Sequence, residues 1–269
     1  MGISYLCNMI FYLSGTGNTR WAARQIAAAT GEELVFIPNA MRGDCTFSLQ
    51  EKERIGFCFP VHGWRPPKIV QDFISRLHFD NAGDSHYAYA VCTAGDDIGE
   101  TMRIFERDLA PLNIHLSAEW SLIMPESYVG LPLMDVDTPD RELAKKRQAT
   151  IELSKICRYV TDREEGITHL ITGRWPRVKS RLLGGAFLRW LVSDKKFHVD
   201  NRRCVKCGIC AEVCPVGDIK GGLGHEPEWI HNGSCLTCFS CYHHCPRHAI
   251  EFGRQTKHKG QYFFEKRNI

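Results

Sequence analysis

Two runs of four cysteines, alike in spacing, constrain this chain more than any other stretch of its 269 residues. Cys204, Cys207, Cys210 and Cys214 precede Pro215, and Cys235, Cys238, Cys241 and Cys245 precede Pro246, so each run reads C-x2-C-x2-C-x3-C-P. An iron–sulfur cubane needs a thiolate at each of its four corners, and two-residue gaps let one tight turn present three of them from one side. Gly208, without a Cβ, suits a left-handed turn inside the first run. The two prolines fix φ, remove a donor and send the chain away. Zinc sites also use C-x2-C pairs, and cysteine-rich chains can be disulfide frameworks. Zinc has no use for a third and fourth cysteine in each run, so two [4Fe-4S] clusters are the expectation against those two alternatives.

Bacterial ferredoxins carry this run, and the C-terminal part of the chain resembles them. In that family three cysteines of a run hold one cubane and the fourth crosses to the other. The resemblance implies one cluster on Cys204, Cys207, Cys210 and Cys245 and a second on Cys235, Cys238, Cys241 and Cys214. Ile219 and Ile250 each follow the last cysteine of a run by five positions, as duplicated halves would place an apolar residue against each cluster. His243 and His244 are expected to make outer contacts at most, since the cysteines complete the ligand count.

At the other end, an apolar run from Met9 to Leu13 feeds into Ser14-Gly15-Thr16-Gly17-Asn18-Thr19, followed by an alanine-rich stretch from Trp21 to Ala29 and a stop at Gly31. Strand, small hydroxyl-and-glycine loop, then helix start is an arrangement that cradles a phosphate on backbone N–H groups and on the hydroxyls of Ser14, Thr16 and Thr19. The loop has no lysine and does not end in Gly-Lys-Ser/Thr, which excludes a nucleoside-triphosphate loop, and Arg20 breaks the G-x-G-x-x-G dinucleotide pattern. The string does match the flavodoxin fingerprint Ser/Thr-x-Thr-Gly-x-Thr, and the N-terminal part resembles that family. The resemblance implies that this loop wraps the phosphate of FMN.

The order of elements agrees with that likeness. Strands are expected at Leu34 to Ile37, Arg54 to Val61, Tyr87 to Thr93 and His115 to Met124, with helices from about Pro67 to Leu77 and Ile98 to Leu109. The fold class expected is therefore α/β, a flavodoxin-like doubly wound parallel sheet with a small C-terminal α+β ferredoxin domain holding two [4Fe-4S] clusters. In a sheet of order 2-1-3-4-5 the cofactor lies over the carboxyl ends of the strands at the switch point. By resemblance, Pro60, Val61, His62, Gly63 and Trp64 and then Thr93, Ala94, Gly95 and Asp96 flank the flavin ring. Trp64 is the candidate for stacking, with packing on Pro66 and Pro67 the alternative. His62 is read as capping its turn in preference to meeting the ring. Tyr128 either borders the flavin or is an ordinary loop residue. Cys58 and Cys92 fall in apolar strands and are expected to be buried.

The domains are read as 1–165 for the flavodoxin-like part, 166–198 as a helical linker, 199–256 for the ferredoxin-like part and 257–269 as a basic surface tail. Thr138 and Pro139 would start a helix running to about Val160. Within the linker, Trp175, Val178, Leu182, Ala186 and Trp190 recur at three- and four-residue steps among Arg and Lys, a stripe expected to pack on its own protein, with a membrane or a partner as the alternative. Gly184-Gly185 would weaken or kink it.

Charge divides the chain, with 17 Lys and Arg against 23 Asp and Glu in residues 1–167, and 17 against 8 in 168–269. Nucleic-acid binding is not expected, because no recognition motif accompanies the basic half and clusters would offset part of it. No secretory signal and no run of apolar residues long enough to span a membrane is seen, and the free cysteines suit a reducing, cytoplasmic setting. Leu6 does not fit a myristoylation signal at Gly2. The function implied by the two likenesses is single-electron transfer between clusters and FMN, exchanged with redox protein partners. A small-molecule substrate reduced at the flavin, such as a quinone or activated alkene, is the alternative, and a zinc-bound interaction module the remote one.

Overall fold

The computed structural model describes residues 8–49, 52–80 and 86–265. Cys7 and the Met1-Gly2 start lie outside them. The N-terminal part runs β1 (Met9–Tyr12), α1 (Asn18–Thr30), β2 (Glu33–Phe36), α2 (Ile37–Ala40), β3 (Thr46–Ser48), β4 (Arg54–Pro60), α3 (Lys68–Arg76), β5 (His78–Asp80), β6 (Tyr87–Ala94), α4 (Thr101–Leu109), β7 (Leu116–Ile123), α5 (Pro139–Asp162) and β8 (Ile167–His169). Six of these strands form a parallel sheet of order β2-β1-β4-β6-β7-β8, and β3 pairs with β5 in a separate parallel ribbon.

Alternation along the strands decides which helix covers which face. Met9 and Phe11 on β1, Ile55, Phe57 and Phe59 on β4, and Ala88, Ala90 and Cys92 on β6 face one side. There they meet Val70, Phe73 and Ile74 of α3 and Met102, Phe105 and Leu109 of α4. Ile10, Cys58, Tyr89 and Val91 face the other side, against Ala22, Ala23 and Ile26 of α1 and Ala149, Leu153, Ile156 and Val160 of α5. The centre is aromatic: the Phe11 ring lies 5.7 Å from Phe57 and 5.0 Å from Phe73. Burying each such ring contributes about 2 kcal/mol. Cys58 and Cys92 are fully buried here, and burial raises both thiols far above their ordinary range. Pro139 starts α5, but the Thr138 side chain makes no capping bond; its carbonyl accepts from Glu142 N–H at 2.8 Å.

One strand residue is poorly placed for a carboxylate. Glu119 on β7 is pushed up to about 7, first by burial and then by the charge of Glu106, while a Thr168 hydrogen bond opposes the rise. A carboxyl raised in the folded state stabilises the fold at low pH and loses that advantage as pH climbs from about 4.3, its unfolded value, to about 7. Glu119→Gln is expected to raise the Tm by about 2 °C at pH 8, on the order of 1 kcal/mol after allowing for solvent screening. Thermal melts at pH 4.5 should show no such gain.

Past β8 the chain runs through a π turn (Val178–Leu183), α6 (Gly184–Trp190), β9 (Phe197–Val199), α7 (Ile209–Glu212), β10 (Ile219–Gly222), β11 (His225–Trp229), α8 (Ser240–His243) and β12 (Ile250–Phe252). β9 pairs antiparallel with β12, and β10 with β11. The C-terminal core gathers Phe197, Ile219, Phe239, Tyr242, Ile250 and Phe252 together with Val129 from the loop after β7, so the two parts share side chains.

Three boundaries differ from the sequence reading. The segment 166–198 gives its first residues to the sheet as β8, because Ala118, Glu119 and Trp120 of β7 still offer an unpaired edge. The C-terminal unit begins at Phe197, whose ring stacks on Trp229 at 5.7 Å. Within the described residues, up to Glu265, the tail is packed: Tyr262 is buried, Phe263 stacks on His244 at 4.2 Å and Phe264 on Trp21 at 4.8 Å. Its aromatic triplet outweighs its basic composition.

Candidate cofactor site

The chain reverses direction across the sheet between β1 and β4, and a cleft of about 340 Å³ opens at their carboxyl ends. Ser14, Gly15, Thr16, Asn18 and Thr19 line it, with Pro60 to Trp64 and Thr93 to Asp96. Of the residues read from sequence as flavin-binding, Gly17 alone is not on its wall. Gly17 instead sits at the start of α1 with φ 97°, where no side chain caps the helix. The first N–H groups of α1 are therefore free of a side-chain acceptor and face the end of the sheet, a position suited to an anion.

The polar groups of this loop are tied in unequal measure. Ser14 Oγ accepts from Gly17 N–H at 3.2 Å, and the hydroxyls of Thr19 and Thr93 pair at 2.7 Å, locking the loop to the end of β6. Asn18 departs from the expected role: its Nδ2 donates to Pro125 O at 3.0 Å and its Oδ1 accepts from Tyr262 O–H at 2.6 Å. Its side chain thus joins the loop to two other segments. Phe264 N–H also donates to Thr16 O at 2.8 Å, so the tail straps the loop. Tyr262→Phe leaves a buried carbonyl oxygen without its partner and is expected to weaken FMN binding by about tenfold, roughly 1.4 kcal/mol, in a fluorescence titration.

The second wall is a tight turn after β4. His62 and Arg65 exchange backbone hydrogen bonds at 3.0 and 3.2 Å, with Gly63 and Trp64 both left-handed at φ 56° and 57°. That is the primed turn, and a bulky tryptophan held in it is strained by about 1 to 3 kcal/mol. The bonds that close the turn come from the backbone, so the His62 ring is not its cap; it lines the cleft, and burial lowers its pKa to about 4. Lys179 lies 5.6 Å from the centroid of the Trp64 ring and pairs with Asp97. Phe187 fills the space beside Gly63, and Gly184 packs against the Gly63 carbonyl. Close approach is thus what the glycine at 184 provides.

Apart from Tyr128, which the sequence offered as a residue that borders the flavin or lies in an ordinary loop, several cleft residues went unread in the sequence. Glu126 Oε1 accepts from the backbone N–H groups of Ser127 and Tyr128 at 2.8 Å each, and its carboxylate lies against Gly95. Burial raises the Glu126 pKa. Lys145 donates to Gly95 O at 2.8 Å, fixing the loop after β6 from below. Tyr128, Leu131, Met134 and Phe187 add apolar surface, and the Tyr128 ring meets Phe187 and Phe239 edge-on at 5.4 and 5.3 Å. No single periodicity marks these residues, because they come from segments far apart in the chain: the loop after β7, α5 and α6.

Cys238 also lines the cleft. A Cβ on Gly15 would lie 2.9 Å from the Cys238 Cβ, and Ser240 Oγ donates to Gly15 O at 3.0 Å. Beyond it the cysteines sort into two small cavities. Cys204, Cys207, Cys210 and Cys245 line one, and Cys214, Cys235, Cys238 and Cys241 the other, each taking its fourth cysteine from the opposite run. The halves repeat in detail: Asp218 N–H points at Cys214 Sγ (3.2 Å) and Ala249 N–H at Cys245 Sγ (3.1 Å), each four residues on. Gly208 and Phe239 hold the same left-handed position after the second cysteine of each run. Burial pushes the Cys210 thiol up to about 11 and Cys238 to about 12, an environment in which a thiolate needs a directly bound cation.

The family model described as flavodoxin domain matches residues 9–116, and the one described as 4Fe-4S dicluster domain matches residues 196–246. The chain joins a flavodoxin domain to a 4Fe-4S dicluster domain. No curated protein matches the chain. The flavodoxin domain implies FMN and the dicluster domain iron–sulfur clusters. The residues present fit both groups: the anion-ready start of α1 with the cleft above it suits a flavin monophosphate, and two cavities of four cysteines each suit two cubanes. The described residues contain no helix long and apolar enough to cross a membrane.

Proposed function

We propose that the chain is an electron-transfer protein in which the dicluster domain and FMN exchange single electrons, with other redox proteins as donor or acceptor. The observation that carries this reading is Cys238, which borders both the flavin cleft and the cavity of the second cysteine set. When bound, FMN exchanges two electrons in single steps and each cubane exchanges one. What the chain's own residues do is position these groups. In this reading the N–H groups and hydroxyls of residues 14–19 hold the phosphate, residues 60–64 and 93–96 embrace the ring with Trp64 on its face, and the crossed cysteine sets hold the clusters. Val205 (57 % exposed) and Leu223 (85 % exposed) flank the Cys204, Cys207, Cys210 and Cys245 set, which favours that end for exchange with a partner.

Anaerobic absorption spectra, recorded before and after adding a reduced ferredoxin or a reduced nicotinamide, test the reading. Bleaching of both flavin and cluster bands by reduced ferredoxin, with slow or no response to nicotinamide, is the expected result. Rapid bleaching by nicotinamide alone would instead make the protein a self-contained reductase acting at the flavin. A preparation with zinc and no iron would sink the electron-transfer reading altogether.

A further inference from the structure

The stripe at residues 175–190 faces outward, contrary to the expectation that it packs on its own protein. Val178, Leu182, Ala186 and Trp190 step by four along one side, whereas Ser180, Gly184 and Phe187 take the opposite side. The protein uses that second side: Ser180 O accepts from Arg65 Nη1 at 3.1 Å, Ser180 Oγ accepts from Glu100 N–H at 2.7 Å, and Phe187 fills the space at Gly63. Trp175 is left 75 % exposed, Leu182 67 % and Trp190 71 %. Seven Lys and Arg against one Asp lie between residues 171 and 196. Glu100 binds Arg181 at 2.8 Å and Lys196 lies over the Phe252 ring at 5.6 Å, but Arg174, Arg189 and Lys195 are exposed.

We propose that this face docks on an anionic lipid surface, a proposal independent of the cofactor assignments. Projecting tryptophan and leucine fringed by arginine is the chemistry of a helix that lies in the headgroup layer, where indole rings settle and basic side chains meet lipid phosphates. A second copy of the chain is a poor occupant, since it would bring two basic strips together. A protein partner would need a recess for each of two protruding indoles, whereas a bilayer yields to them. Lys179 and Phe187 of the same segment line the flavin cleft, so docking would hold the cleft beside the lipid.

Sedimentation of the cofactor-loaded protein with vesicles tests this. Vesicles of mixed phosphatidylcholine and phosphatidylglycerol should bind it at least about tenfold more tightly than vesicles of phosphatidylcholine alone, with the difference shrinking as salt rises. The double variant Trp175→Ala with Trp190→Ala, and separately Arg174→Gln with Arg189→Gln, should each lower anionic-vesicle binding about tenfold while leaving flavin and iron contents unchanged. Equal binding by the variants, or no binding at low salt, overturns the proposal. So does a dimer in solution that the tryptophan variant converts to monomer, or a tryptophan variant that slows reduction by ferredoxin in the absence of vesicles; these would assign the face to a second copy or to a protein partner.

Discussion

Replacing Cys238 with alanine is expected to leave FMN in place, remove about half of the iron, and slow electron delivery from reduced ferredoxin to the flavin by about 100-fold. The reason is its position. Cys238 belongs to the cavity of Cys214, Cys235 and Cys241 and is also the cysteine that lines the flavin cleft, with its Sγ only 3.2 Å from where a Gly15 Cβ would stand. In the proposed assignment, removing the thiol takes away a cluster ligand without touching the α1 start where the phosphate would sit. A small chemical reductant, which needs no relay, should reduce the flavin of the variant at the wild-type rate. Anaerobic stopped-flow at the flavin band separates the two routes. An unchanged rate with ferredoxin would mean that electrons enter at the flavin itself and that the two cofactor sets are not in series. Should flavin leave with the iron, Cys207→Ala becomes the sharper variant: it lies in the far cavity, away from the cleft, and the same slowing with flavin retained is expected there.

What could be read in advance depended on whether the signal was local. The two cysteine runs fix eight residues within 42 positions, and the crossed sorting of the cavities follows from the spacing and the ferredoxin likeness. The loop from Ser14 to Thr19 was legible because strand, loop and helix start are contiguous. The turn at Phe239 was not, since its twin position holds Gly208 and nothing in a phenylalanine announces φ 58°. Burial of that ring at the centre of the C-terminal core is what holds it there. Glu126 reaches the cleft from a loop that resembles an ordinary polar connection, and Lys179 from the π turn of the amphipathic stripe, whose charges read as a solvated fringe. The tail misled through its composition: Lys and Arg suggested a solvated end, whereas Tyr262, Phe263 and Phe264 dock on α1 and α8. The amphipathic stripe misled in the opposite sense, because small residues at Ser180 and Gly184 permit a closer seat on the loops than its tryptophans would.

Gly17→Asp should expel FMN, raising its Kd more than about 100-fold, while the iron content stays at the wild-type level. Two separable effects combine. The backbone at φ 97° lies where a side chain is strained, and a Cβ there would come within 3.1 Å of the Phe264 Cβ, part of the strap that holds the loop. Gly17→Ala measures that component alone, about 1 kcal/mol, or roughly a fivefold loss. The aspartate adds a charge beside the anion that the start of α1 is arranged to receive. At about 5 Å and an effective dielectric of about 20, the repulsion is on the order of 3 kcal/mol. Riboflavin, which lacks the phosphate, discriminates between the two: its weaker binding should fall as far in Gly17→Ala as in Gly17→Asp, whereas FMN should lose far more in the aspartate variant. If FMN bound the aspartate variant as tightly as the wild type, the phosphate would have to sit elsewhere and the cleft would need a different ligand. A parallel loss of riboflavin and FMN would instead trace the effect to a displaced tail, with Phe264 no longer able to donate to Thr16.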